Sequence, residues 1–175
     1  MPNLDYIPKY TFSDYKLWKG DWELIKGHPI SMSPSANMQH QIIANEINTY
    51  FFTSLKKNKE NCSCNVVYEL DWKVNNETIL RPDISIICTD KISTFIETVP
   101  ILIVEILSPS THLKDRNTKF AIYEQNGVKF YIMVNPESST IEIFQLIDNK
   151  YKEVYITEFD LKKNCKLSVD LQNIF

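Results

Sequence analysis

Apolar positions along this chain recur with two different periods. Between about residues 36 and 57, His40, Ile43, Ile47, Tyr50 and Leu55 fall at helical spacing, and Lys56, Lys57 and Lys59 close the segment. The pattern predicts one long helix. Shorter apolar runs bounded by turn residues predict strands at about 64–74, 77–88, 101–107, 128–134, 140–147 and 150–157. Trp22–Ile25 and His28–Met32 flank Lys26-Gly27 and read as a hairpin in which Gly27 takes positive φ. A short helix is expected over about 11–19, capped by Thr11 or Ser13, and another over about 112–126, ended by Asn126-Gly127. Asn75-Asn76 and Asp148-Asn149 supply two further hairpin turns. Helices set among strands predict an α/β protein with a mixed β-sheet flanked by helices. With no linker, repeat or low-complexity stretch, a single domain over 1–175 is expected, with its chemical core at about 20–147.

Length and composition narrow the classes. A chain of 175 residues needs no staples, because about 150 residues already bury roughly 70% of the unfolded surface. The hydrophobic share of 43% and charged share of 23% exclude disorder and collagen-like repeats. A net charge of −3 excludes a basic DNA-coating protein, and the cations are 17 Lys with only Arg81 and Arg116. Three glycines leave no phosphate loop, dinucleotide fingerprint or nucleophile elbow. Cys62, Cys64, Cys88 and Cys165 are few for a disulfide scaffold. Cys62-x-Cys64 lacks zinc-knuckle spacing and a nearby His, so reduced core thiols are expected. No apolar run approaches the roughly 18 residues of a membrane span. The first residues lack a secretory pattern, so a soluble, cytoplasmic protein without membrane contact is expected.

Two acids stand out. Ile101–Leu107 is apolar on both alternating faces, as in a central strand covered on both sides, yet Glu105 sits within it. A buried carboxylate must be protonated, paired or metal-bound. Asp83 opens another apolar strand directly after Pro82, which cannot donate to a ladder and so marks an edge or a bulge. An antiparallel return through 89–99 places Asp83 beside Glu105. A divalent cation would relieve the repulsion between them, and oxygen-only ligands favour Mg²⁺ or Mn²⁺ over zinc. Beyond Glu105, Asp115 and Lys119 share a helix face, with Tyr123 one turn on, so Lys119 can reach back over the acids. An ammonium there can hold a water or offset charge on a phosphate. The bland alternatives are a structural ion pair for Glu105 and a surface pair for Asp115 with Lys119.

Arg81-Pro82-Asp83, Val104-Glu105-Ile106-Leu107-Ser108-Pro109-Ser110-Thr111 and Asp115-x-x-x-Lys119 with Tyr123 resemble the Uma-type restriction endonuclease family of the PD-(D/E)xK nuclease superfamily. The likeness extends from Trp22-Glu23-Leu24-Ile25 through Met32-Ser33-Pro34-Ser35, His40-Gln41 and Val134-Asn135-Pro136 to Leu167–Leu171. It implies a restriction-endonuclease-like fold and a Mg²⁺ (or Mn²⁺) site held by Asp83, Glu105 and the carbonyl of Ile106. The superfamily's usual lysine position is Leu107 here, so the resemblance assigns that role to Lys119, and it brings Glu23 near the metal or the water. It also implies a nucleic-acid substrate, DNA in the first place. The chain departs from the family at Lys26-Gly27-His28, where Asp-Gly-Glu is common.

The expected chemistry is in-line phosphodiester hydrolysis by an endonuclease, with Asp83→Ala, Glu105→Ala and Lys119→Ala each abolishing cleavage while the fold stays intact. The rival is a catalytically inactive nuclease-fold protein that binds nucleic acid or a protein partner. It draws on the negative net charge and the lack of room for a base-reading module. A homodimer would supply a second cutting centre. His40 is read first as a buried helix histidine on a carbonyl, and Glu69 and Asp71 as a solvated face. His112 stands between solvent and phosphate contact.

Overall fold

The computed structural model describes residues 7–32, 37–60, 62–108 and 114–175, except the side chains of Lys114, Asp115 and Asn173. Elements appear in the order α1 (Phe12–Tyr15), β1 (Trp22–Ile25), β2 (His28–Ser31), α2 (Met38–Lys57), β3 (Asn65–Tyr68), β4 (Trp72–Asn75), β5 (Thr78–Leu80), β6 (Ile84–Ile87) and β7 (Leu102–Ile106). A π-helical turn, Lys114–Lys119, then runs into α3 (Phe120–Gln125). β8 (Phe130–Asn135), β9 (Thr140–Ile147), β10 (Lys150–Glu153), β11 (Glu158–Lys162), β12 (Cys165–Ser168) and a 3₁₀ turn, Leu171–Ile174, follow. The mixed sheet of the sequence reading is the six-stranded one, ordered β10-β9-β8-β7-β6-β3. Among the described strands of this sheet only the β7–β8 pair is parallel, and the helical segment 114–125 lies in the crossover between them. The fold is α/β.

β7 is buried along its whole length because both faces of the large sheet are covered. Leu102, Val104 and Ile106 pack with Ile43, Ile47, Phe51 and Leu55 of α2 and with Phe159, Leu161 and Leu167 of the β11–β12 hairpin. Ile103 and Leu107 point the other way, towards Ile122 and Tyr123 of α3 and Ile25, Trp72 and Leu80 of a second sheet. That second sheet, ordered β2-β1-β5-β4, was not separated in the sequence reading. The expected long strands over 64–74 and 77–88 are each broken in two. Glu69 takes φ 48° after β3, and Pro82 falls between β5 and β6, so the chain leaves one sheet and returns to the other. The β1–β2 turn is as expected, with Lys26 (φ 52°) sharing the positive φ with Gly27 (φ 81°). A Cβ on Gly27 would sit 3.0 Å from the Lys9 Cβ, so a side chain there would also press on the stem of that lysine.

Three smaller expectations need correction. The buried stripe of α2 uses Phe51, while Tyr50 is exposed and donates its hydroxyl to Glu46; successive steps of four from Ile43 lead to Phe51. The C-terminal hairpin was not foreseen. The cysteines are not separate thiols either: Cys62 is disulfide-bonded to Cys165 and Cys64 to Cys88. Among the described residues no helix is long and apolar enough to cross a membrane.

Phe51→Ala is expected to lower unfolding free energy in urea by about 3–5 kcal/mol, with Tyr50→Ala changing it by less than about 1 kcal/mol. Equal effects would contradict the helix face. A pH effect comes from Glu124, which accepts from Lys150 Nζ and from the Tyr151 N–H, both at 2.8 Å. The lysine first, then that N–H, hold its carboxyl below the ordinary 4.5. Its contribution is therefore complete above pH 4.5 and lost as pH falls through the depressed value. Glu124→Gln should lower the thermal midpoint at neutral pH, with the gap to wild type closing in acid.

Candidate active site

Glu23, Glu105 and Lys119 meet between the two sheets. β1 turns Glu23 inward, β7 carries Glu105 on the face towards α3, and the π turn ends at Lys119; all three are buried. Lys119 Nζ stands 2.8 Å from Glu105 Oε1 and 3.0 Å from Glu23 Oε1. Tyr123, on the first turn of α3, donates its hydroxyl to the same Glu105 oxygen at 2.6 Å. Burial, then the charge of Glu105, raise the Tyr123 phenol well above its ordinary value, so it stays a neutral donor. The Arg81 N–H donates to Glu23 Oε1 at 3.0 Å. An ion group this dry is stable only when hydrogen bonds satisfy it from several sides, and these contacts do so.

Asp83 lies at the neighbouring position of the sheet. The β6–β7 register pairs Ile84 with Val104, which continues to Asp83 opposite Glu105. The Asp83 carboxylate accepts from the Ile106 N–H at 2.6 Å and lies 3.2 Å from His40 Nε2. His40 therefore has this carboxylate as its main partner, with the Ile106 backbone, of the kind the sequence reading expected, as a lesser one. Asn37 caps α2 by accepting from the His40 N–H at 2.9 Å, fixing the turn that carries the ring. Burial pulls the His40 pKa down, but the hydrogen bond and charge of Asp83, helped by Glu69, bring it above the ordinary 6.5. Asp83 is 20% exposed, against 3% for Glu105 and none for Glu23, so water reaches the site on its side. An open groove of about 220 Å³ runs past it, lined by His40, Gln41, Asn45, Asn48 and Tyr68.

The donor set suits a hard divalent cation. Asp83, Glu105 and the Ile106 carbonyl offer oxygen alone, and Mg²⁺ takes one or two carboxylates and keeps several waters. Asp83 Oδ1 accepts no hydrogen bond among the described residues. Both arginines are engaged. Arg81 bonds Asp71 and Asp21 at 2.6 Å each, and Arg116 pairs with Glu142. Tyr15 also donates to Asp71, so that acid is a strut rather than part of a solvated face. Lys26 and His28, where the chain departs from the family pattern, lie exposed at the β1–β2 turn. His112 and the Asp115 side chain, like Ser33–Ser35 and Pro109–Thr111, lie outside the described residues.

The Uma2 family pattern, described as "Putative restriction endonuclease", matches residues 12–172. An uncharacterized protein of Synechocystis sp., slr1290, is 30% identical over 153 residues, covering 82% of this chain and 77% of its own. The crystal structure of a "putative nuclease belonging to DUF820" from Anabaena variabilis superposes with a TM-score of 0.73 at 16% identity, covering 94% of this chain and 97% of that one. The fold is therefore that of the Anabaena protein.

Contrary to the expectation of an intact fold, Lys119 substitutions should destabilise the chain, because two buried carboxylates lose their shared cation. Lys119→Met is expected to cost about 3–5 kcal/mol in urea unfolding, with Glu23→Gln on the same chain restoring part of it. Strict additivity of the two changes would show that the pair is not coupled.

Proposed function

Because the chain belongs to the Uma2 putative restriction endonuclease family, we propose that it is a divalent-metal-dependent endonuclease that hydrolyses phosphodiester bonds of DNA. The observation that carries this reading is the buried Glu23–Lys119–Glu105 group beside the partly exposed Asp83. A plain structural ion pair would not need a third acid on the adjacent strand at the mouth of a groove.

Asp83, Glu105 and the Ile106 carbonyl would hold Mg²⁺ or Mn²⁺, which when bound polarises a phosphate and acidifies water. Lys119 faces where charge builds on the phosphate oxygens and orients the attacking water. Glu23 and Glu105 hold that ammonium in place, so it needs no reorganisation as the reaction proceeds. Tyr123 donates to the same Glu105 oxygen and so helps to fix the carboxylate. His40 steadies Asp83, and the polar side chains of the groove offer donors and acceptors along a strand. The leaving oxygen takes its proton from solvent on the Asp83 side, since the other acids are buried.

The test is incubation with plasmid, linear and single-stranded DNA and with RNA, in Mg²⁺ or Mn²⁺, beside Asp83→Asn and Glu105→Gln. Cleavage of DNA should fall by about two to three orders of magnitude in either variant. Calorimetric titration of Mn²⁺ should show binding in wild type and its loss in Asp83→Asn. No Mn²⁺ binding in wild type, with nucleic acid still bound, would favour the inactive binding module instead.

A further inference from the structure

All four cysteines of the chain gather at one end of the core, far apart though they are in sequence. Cys62 and Cys64 precede β3 and are both buried, with the exposed Ser63 between them, because extended chain sends alternate residues to one face. The β3–β6 register, with Asn65 opposite Ile87, continues to Cys64 opposite Cys88, and their Cα atoms are 3.9 Å apart. Cys165 opens β12 and comes from the C-terminal hairpin. The two cystines are not independent staples: Cys165 Sγ lies 3.5 Å from Cys64 Sγ, across the two pairs. The sulfurs of Cys62, Cys64 and Cys165 all lie within 4.8 Å of one another. Among the described residues this is the one gathering of three or more metal-ligating side chains that close.

We propose that the reduced form of this cluster is a structural tetrathiolate site for Zn²⁺, with Cys62, Cys64, Cys88 and Cys165 as its ligands. A tetrahedron with Zn–S bonds of about 2.3 Å has edges of roughly 3.8 Å, inside the 4.8 Å that spans the sulfurs of Cys62, Cys64 and Cys165, and Cys88 is joined to that group through Cys64. Four soft sulfur donors without oxygen or imidazole select zinc over the hard cation suited to the carboxylates. From the two-cystine form, a dithiol reductant supplies four electrons and four protons to give four thiols. Binding of Zn²⁺ then releases four thiol protons and leaves a dianionic centre. Lys162 is placed to offset that charge, since its Nζ donates to the Cys88 carbonyl at 2.7 Å.

The centre has a mechanical role. Among the described strands, β11 and β12 pair only with each other and add to neither larger sheet. Their hold on the rest of the chain is apolar packing by Phe159, Leu161 and Leu167, bonds such as Asn58 Nδ2 to the Lys166 carbonyl, and Cys165 itself. Metal affinity at Cys165 is thus converted into docking of the hairpin. This inference stands apart from the proposed hydrolysis, and neither depends on the other.

The experiment uses the full chain kept in dithiothreitol, desalted without oxygen after exposure to ZnCl₂, with zinc measured by mass spectrometry and thiols counted with a disulfide reagent. About one zinc per chain should be retained. It should be lost in Cys64→Ser and Cys165→Ser but kept in Asp83→Asn. Co²⁺ loaded into wild type should show sulfur-to-metal charge transfer and the strong visible bands of a tetrahedral tetrathiolate, a readout that survives even if a serine variant fails to fold. A chain that resists reduction, one that keeps no metal with four free thiols, or zinc lost with Asp83 instead overturns the proposal.

Discussion

The structure depends on one ammonium group held out of water between two carboxylates. Lys119 touches Glu105 of the large sheet and Glu23 of the small one. Each of these charges alone would be prohibitive at such depth. Together they are tolerable only because the two sheets meet at a fixed spacing and because Tyr123 and the Arg81 N–H occupy further positions around the acids. The packing of the layers and the chemistry of the site are therefore one constraint seen from two sides.

The layers explain why the acids fall where they do. β7 needs cover on both faces, and α2 with the C-terminal hairpin supplies one cover while α3 with the small sheet supplies the other. Glu105 is the polar exception in that strand, and it opens towards the second cover, where the π turn delivers Lys119. A π turn ahead of an α-helix shifts the phase of every side chain after it, and such turns are frequent at functional sites. Asp83 stays nearer water because Pro82 ends the passage between sheets just before it.

Much of this was legible in the sequence, for identifiable reasons. Glu105 announced itself as a carboxylate in a doubly apolar run, and the antiparallel return that brings Asp83 to its side followed from strand order and loop length. The meeting of Lys119 with Glu105 followed from a helix beginning just past the strand. Other features left no local trace. The second sheet was hidden because the chain changes sheets within three residues, 69–71 and 81–83, inside runs that read as continuous strands. His40 against Asp83 and Arg81 against Asp71 join segments with no sequence relation, and only tertiary packing sets them. The meeting of the cysteines was concealed likewise: Cys64 and Cys88 become neighbours only once the register of β3 with β6 is known, and Cys165 lies in a hairpin whose short strands carry little periodic signal.

The bridge across the seam also makes the two layers depend on one another. Glu23 comes from the second element of the chain, and its cation comes from beyond β7. Closing so long a loop costs chain entropy that only the contacts of both sheets offset. Neither layer alone encloses the three charges. The finished seam is thus a checkpoint: only a chain with both layers in place has the geometry that the lysine requires.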